Sequence, residues 1–294
     1  MENQVISSIT VTYNPDIECL RQQLLSVRKQ VDLCVIVDNG SNNIIEIKNL
    51  NHEFDFHLIQ FNENYGLAYA QNKGIEYAMS LGTQYLLLLD QDSILKEKFS
   101  ENMKDIYTKY NVGILGPSFY DPQNNKVYFG TCYKGPFISR KPVGEVTDVT
   151  FVIASGSFFS SDVFKKIGGM KSELFVDYID VEWSLRAKNM GYRVCMTNRA
   201  LMAHTIGDSR ITILGRTISV HSPLRRYYLV RNSFYMLRLR YVPMGYKFRE
   251  IFFNFLRSII SLAISDNKVN VLTKIGQGIY DGIRGRYGNY KNNR

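Results

Sequence analysis

Asp90 and Asp92 stand one residue apart at the end of an unbroken apolar run, Tyr85-Leu86-Leu87-Leu88-Leu89. Two carboxylates at i and i+2 where a strand leaves a sheet can seat a hard divalent cation carrying a phosphorylated ligand. The same acids could instead solvate a strand end and cap the next helix. A second candidate, Asp38, closes another apolar run in Asp38-Asn39-Gly40-Ser41, where an ordinary turn aspartate is the competing reading. A third group lies in Asp177-Tyr178-Ile179-Asp180-Val181-Glu182-Trp183. On a helix, Asp180 falls on the apolar side with Trp183 and Ala187, where an acid needs a reason. Glu182 aligns with Arg186 at i, i+4 as a surface pair, and Asp177 stands where an N-cap would. His204 in Ala203-His204-Thr205 is a lone histidine, either structural or a metal ligand.

The elements that must hold these residues read as an α/β chain. Val5–Thr12, Leu33–Val37, Phe56–Phe61 and the run before Asp90 have strand character, and helical periodicity fills the intervals. Asn14 is the expected N-cap of the first helix, with Pro15 in its first turn. Gly82 follows the helix from Leu67 to Leu81 as its stop signal. Short strands alternating with helices imply a Rossmann-like parallel sheet, whose carboxyl edge is where ligands bind. After Asp92 the pattern changes: a helix at Phe99–Tyr110, strands at Val112–Pro117 and Lys126–Tyr133, β character through Glu145–Ala154, a helix near Tyr178–Met190, and a last strand at Tyr192–Met196. From Pro223 on, the chain is helical, basic and aromatic.

Composition narrows the function classes. A chain of 294 residues with 45% hydrophobic and 21% charged residues is an ordinary globular protein. Its four cysteines form no CxxC pair, so neither a zinc site nor a disulfide scaffold is indicated. No charged and apolar leader follows Met1, which points to a cytoplasmic location. The net charge of +9 is uneven: residues 210–294 carry 16 Lys/Arg against 3 acids, while the remainder is mildly acidic. Such a segment favours an anionic surface. The stretch Ile251–Ile264 is broken by Asn254 and Arg257 and falls short of the roughly 20 apolar residues a membrane span needs. It suits a membrane surface or the protein's own core. Nucleic acid is the weaker partner, because the acidic, motif-dense body has no part in that reading. No GxxxxGK loop is present, so phosphates are not held by a P-loop cradle.

Taken in order, TVTYNP at 10–15, VDNGS at 37–41, NENYGLAYAQNKGI at 62–75, LLLDQDS at 87–93, ASGSFF at 154–159, FVDYIDVEWSLRAKNMGYR at 175–193, AHTIGD at 203–208 and SPLRRYYLVRN at 222–232 resemble the family-2 inverting glycosyltransferases of GT-A fold, and among them the bacterial rhamnosyltransferase branch. The resemblance implies a GT-A catalytic domain over 1–210, with a nucleotide-binding half to about 95 and an acceptor half after it. A C-terminal helical basic region would occupy 211–294. It implies transfer of a sugar, L-rhamnose from dTDP-L-rhamnose in that branch or, as the alternative within the family, a hexose from a UDP-hexose, to a lipid-linked surface-saccharide precursor, with Mg²⁺ or Mn²⁺ as cofactor. The enzyme would then sit at the inner face of the cell membrane.

Residue by residue, the resemblance makes Asp38 the acceptor of the N3–H of uracil or thymine, a charge-assisted bond that adenine and cytosine cannot supply there. Thr12, Tyr13, Asn64, Gly66 and Asn72 would line the nucleotide pocket. Many relatives have Arg where this chain has Gln71. Asp90 would lean to the nucleotide, while Asp92 and His204 would hold the metal. Asp180 would be the catalytic base, and Ile179 replaces the Glu often found before it. Asp177, Trp183, Arg225, Arg226 and Arg231 are candidate contacts to acceptor or phosphate, since arginine forks suit phosphate oxygens. A nucleotidyltransferase on a similar sheet would need a glycine-rich basic loop after the first strand, which Thr12-Tyr13-Asn14-Pro15 is not.

Overall fold

The apolar run before Asp90 does become a strand buried on both faces: Leu86 to Leu89 are each 2% exposed or less. The computed structural model that shows this describes residues 4–122, 126–204, 210–213, 216–219 and 221–293, with backbone alone for 126, 210–213 and 216–219. The first part alternates strand and helix: β1 (Ile6–Thr12), α1 (Ile17–Val27), β2 (Leu33–Asp38), α2 (Ile44–Phe54), β3 (His57–Gln60), α3 (Leu67–Ser80) and β4 (Tyr85–Asp90). Then come β5 (Ile94–Leu95), α4 (Phe99–Lys109), β6 (Ile114–Asp121), β7 (Lys126–Val127), β8 (Gly130–Lys134), β9 (Phe137–Lys141) and β10 (Thr147–Asp148). β11 (Phe158–Ser160), α5 (Ser161–Ile167), α6 (Ile179–Asn189) and β12 (Val194–Ala203) follow. The last elements are β13 (Arg210–Ile213), β14 (Arg216–Ser219), α7 (Pro223–Arg238), α8 (Met244–Ile264) and α9 (Lys268–Arg284).

The main sheet runs β10-β12-β6-β11-β4-β1-β2-β3. β4, β1, β2 and β3 are mutually parallel, as are β6 and β12, and β11 lies antiparallel between β4 and β6. The sheet is mostly parallel, as the resemblance to the GT-A fold implies. Its β1 is unusual in being wholly buried yet rich in hydroxyls. Three of its four hydroxyls are satisfied from separate parts of the chain: Ser7 pairs with Thr83 at 2.6 Å, Thr10 accepts from Gln23, and Thr12 donates to Asp38.

Three local expectations change. Asp16, not Asn14, caps α1 by accepting from the Cys19 amide; Asn14 takes φ 45° and its side chain receives the Asn42 amide. The β character of 145–154 is realised only at Thr147–Asp148. Beyond it the chain turns beneath β4, where Gly156, at φ 81°, donates to Leu88 O at 2.7 Å. A Cβ on Gly156 would lie 2.5 Å from Pro117, so this turn requires glycine. The last strand is also longer than expected, reaching Ala203 through a register shift between Thr197 and Leu201.

Two compact units are formed. One comprises residues 1–132, 139–172 and 179–205; the other comprises 133–138, 173–178 and 206–294. In the second, α7 and α9 pack together, and the Tyr227 hydroxyl donates to buried Asp281 at 2.7 Å. Among the described residues no helix is long and apolar enough to cross a membrane.

Candidate active site

Strand register brings the first group of acids together. Thr12 is paired with Asp38 across β1 and β2, and Val11 with Asp90 across β1 and β4, so all stand at one carboxyl edge. Asp38 has no solvent exposure; it accepts from the Thr12 hydroxyl at 3.0 Å, the Ser41 amide at 3.0 Å and the Ser41 hydroxyl. Tyr13 is half exposed, and its amide donates to Gln91 Oε1 at 3.0 Å, joining the first loop to the Asp90–Asp92 turn. Asn39 and Asn64 lock the neighbouring loop: Asn39 donates to Asn64 Oδ1, which also receives the Gly66 amide, and Asn39 Oδ1 receives the Tyr65 amide. Gly66 takes φ 91° as α3 begins. Asn72 is engaged elsewhere, exchanging two hydrogen bonds of 2.8 Å with the backbone of Met170. Its amide therefore buckles α3 to the segment after α5.

Asp90, Asp92 and His204 form the second cluster, with ligand atoms all within 4.8 Å of one another. β4 delivers Asp90, the turn after it delivers Asp92, and the end of β12 delivers His204, because Ala203 pairs with Ile94 of β5. His204 Nε2 lies 3.7 Å from Asp90 Oδ2, and Nδ1 lies 3.5 Å from Asp92 Oδ1. The ring is buried, yet Nδ1 has no hydrogen-bond partner among the described residues. Burial by itself would push the imidazole pKa down. Asp92 and Asp90 outweigh it, and the net shift is upward. A buried imidazole with a carboxylate beside each ring nitrogen, and with Nδ1 lacking a hydrogen-bond partner among the described residues, fits a divalent cation. Behind the cluster, Ser155 Oγ accepts from the Asp90 amide and pairs with Ser93 Oγ at 2.5 Å. Sequence reasoning did not single out Gln91 or Ser155; only folding shows what their side chains hold. The residues after His204 in the AHTIGD stretch lie outside the described residues.

Asp180 sits in the first turn of α6 and accepts from the Val181 amide at 2.8 Å. It lines a narrow cavity with Gln71, Leu88, Ser157, Met170 and Trp183. Gln71 is 2% exposed, and its Oε1 has no hydrogen-bond partner among the described residues. Gln71 and Asp180 thus line the same cavity. Trp183 is core: its ring meets Phe159 edge-on, and its indole N–H donates to Gly168 O. The expected Glu182–Arg186 surface pair is instead inside. Glu182 has no exposure, and Arg186 binds both its oxygens at 2.9 Å while donating to the carbonyls of Ile167 and Gly169. The fork is buried because it ties down the chain between α5 and α6.

In the second unit, the segment leading into α6 is strained: Phe175, Asp177 and Tyr178 all take φ of 63° to 65°. Asp177 is not an N-cap. Its left-handed backbone turns its carboxylate toward Arg225, which approaches at 3.0 Å. Arg231 is fully buried and donates to the carbonyls of Gly288, Glu173 and Leu174 and to Asn232 Oδ1. Asn232 in turn donates to the carbonyls of Leu174 and Val176. These side chains hold backbone. Arg226 differs. It is 2% exposed, and its Nε and Nη1 find no partner among the described residues. Burial, and then the neighbouring Arg257 charge, bring its pKa down to about 10.

Residues 7–168 match the family described as Glycosyl transferase family 2. The chain is 35% identical over 292 residues, 96% of its own length and 97% of the relative's, to a protein of Shigella flexneri described as dTDP-rhamnosyl transferase RfbF. Solved structures of similar fold include GalNAc-T7 with UDP, GalNAc and Mn²⁺, at a TM-score of 0.60 and 15% identity. That match covers 90% of this chain, which spans 58% of the GalNAc-T7 chain. Residues 1–349 of S. aureus TarS match at a TM-score of 0.58 and 14% identity, covering 96% of this chain and 82% of that one.

Proposed function

From the premise that this chain belongs to glycosyl transferase family 2, we propose that it transfers L-rhamnose from dTDP-L-rhamnose to a lipid-linked saccharide at the cytoplasmic face of a bacterial membrane. The observation that carries the donor is the 35% identity, along 96% of the chain, to a protein described as a dTDP-rhamnosyl transferase.

In this reading Thr12 and Ser41 orient Asp38, whose Oδ2 carries a single hydrogen bond and keeps acceptor capacity for the imide N–H of thymine. Tyr13 flanks the base, and the Asn39–Asn64 lock with Gly66 shapes the loop beside it. Asp90, Asp92 and His204 hold the divalent cation. Two carboxylates with one imidazole suit Mn²⁺ better than Mg²⁺, which prefers an all-oxygen shell. When bound, the cation supplies charge neutralisation to the diphosphate leaving group.

Asp180 takes the proton of an acceptor hydroxyl. As that oxygen bonds to the anomeric carbon, the bond from that carbon to the diphosphate oxygen breaks on the opposite face, and configuration inverts. Gln71 Oε1 accepts from a sugar hydroxyl in the cavity beside Asp180. Arg226 meets an acceptor phosphate, supported by its unpartnered buried nitrogens. The basic balance of residues 210–294 supports the membrane location.

A donor screen by mass spectrometry tests this, with dTDP-L-rhamnose and UDP-hexoses offered in Mn²⁺ or Mg²⁺ and an isoprenoid-diphosphate saccharide as acceptor. Deoxyhexose transfer from dTDP-L-rhamnose is expected. Turnover of a UDP-hexose alone would reassign the donor, and no transfer or donor hydrolysis from any of them would sink the reading.

A further inference from the structure

Helix α8 is inverted relative to a helix that packs an ordinary core. Its buried residues include Lys247, Glu250, Asn254, Ser258 and Ser261. Its exposed residues include Met244, Phe248, Ile251, Phe252, Phe255 and Ile259, at 44–65% exposure. At about 100° per residue, these six positions fall within roughly 100° of arc, a continuous stripe about 22 Å long. The polar side is turned inward for stated reasons: Glu250 receives the Tyr178 hydroxyl at 3.0 Å, and Asn254 donates to that same hydroxyl at 2.8 Å. So the exposed stripe is what remains once the polar network has fixed the helix rotation.

Helix α9 buries Val271 and Ile275 yet also leaves apolar side chains outside. Gly278 and Gly282 lie on its buried side, while Val269, Leu272, Ile279, Tyr280 and Ile283 are 40–77% exposed. The two stripes converge on one apolar cleft, lined by Ile251 and Phe255 from α8, Ile279 from α9, and Val230 and Phe234 from α7. An exposed apolar surface of this continuity marks an interaction site.

The charges around it select the occupant. Lys268, Arg284, Arg286 and Lys291 are exposed at the ends of α9 and just beyond. The acids of these helices are Glu250 and Asp281, both buried; Asp266, between the helices, is exposed. A two-fold contact between copies of this chain would set this cationic rim against itself. An anionic lipid surface complements it, with apolar side chains in the acyl boundary and cations at the headgroups. We propose that the outer faces of α8 and α9 together form the surface by which this enzyme lies on an anionic lipid bilayer. This deepens the reading of a membrane-borne acceptor and rests on it.

Vesicle sedimentation with the full chain and no donor tests the surface apart from catalysis. Wild type is expected to bind phosphatidylglycerol vesicles and to bind pure phosphatidylcholine vesicles roughly tenfold or more weakly. The double variant Phe252→Ser/Phe255→Ser should keep its melting temperature and its transfer to a lipid-free acceptor, yet lose binding by about tenfold or more. Lys268→Glu/Arg284→Glu should weaken binding about fivefold per cation. Absence of wild-type binding to anionic vesicles overturns the proposal, as does equal binding to both lipids. A dimer in sedimentation equilibrium that the phenylalanine variant converts to monomer, without vesicle binding, assigns the face to a second copy and equally overturns it. Vesicle binding without any sugar transfer would retain the surface and reject the enzymatic reading.

Discussion

Asn232 Nδ2 donates to the carbonyl oxygen of Val176 at 2.7 Å, four residues before Asp180. The segment it grips carries three non-glycine residues at positive φ, a conformation costing of order 1–3 kcal/mol per residue unless its surroundings hold it. Arg231 and Asn232, from the RRYYLVRN stretch, supply that hold. Asn232→Ala is expected to lower stability by about 2 kcal/mol, since it removes the side-chain donor to the Val176 carbonyl and the acceptor that buried Arg231 binds. It should also lower kcat more than it raises the KM for donor. Unfolding curves and steady-state kinetics check both, and unchanged kcat in a destabilised protein would restrict Asn232 to folding.

Asp180→Asn should reduce transfer by roughly 10²–10⁴-fold while leaving donor nucleotide binding intact, because an amide cannot take the acceptor proton. Calorimetry for binding and product formation for rate separate the two. Gln71→Leu should keep the buried volume but lose the unpartnered acceptor, raising KM for donor or acceptor with little change in melting temperature. Full activity in Asp180→Asn would remove that residue as the base.

The metal cluster predicts a definite pH dependence. Burial opposes charge on His204, but Asp92 and Asp90 overcome it, so its pKa lies above the ordinary value. Its pairing with these acids therefore stabilises the metal-free fold most below the ordinary pKa, and that contribution fades as pH rises through the raised value. Metal binding runs the other way, since only the neutral imidazole can be a ligand. Mn²⁺ affinity, followed by paramagnetic resonance, should rise between pH 6 and pH 8, and His204→Gln should flatten the rise. Equal affinity across that range in wild type would exclude His204 as a ligand.

Two neighbouring arginines should respond oppositely to the same change. Arg231→Met removes the guanidinium bonds to the Gly288, Glu173 and Leu174 carbonyls and to Asn232 and is expected to cost about 3 kcal/mol. Arg226→Met removes a buried cation whose Nε and Nη1 have no partner among the described residues, so the melting temperature should hold or rise. Yet KM for a phosphate-bearing acceptor should increase several-fold. Equal destabilisation by both would place Arg226 with the structural arginines.

Much here was legible from residue order alone. An unbroken apolar run can be buried only as a strand or core helix, and its length and its acids at the end mark a strand edge, so β2 and β4 and their terminal acids were readable. Family membership was readable too, because many short motifs in one order constrain far more than any one of them. What the side chains hold was decided by tertiary structure. The i, i+4 spacing of Glu182 and Arg186 is the same on a solvated face and a buried one, and only the loop carbonyls packed above it make this pair internal. Asn72, Arg225, Arg226 and Arg231 are all polar residues in motif positions, yet one buckles backbone, one pairs with Asp177, one has two nitrogens without partners among the described residues and one is saturated with carbonyls. Periodicity tells which residues share a helix face. It does not tell which face turns inward, and in α8 the polar network around Tyr178 made that choice against hydrophobicity.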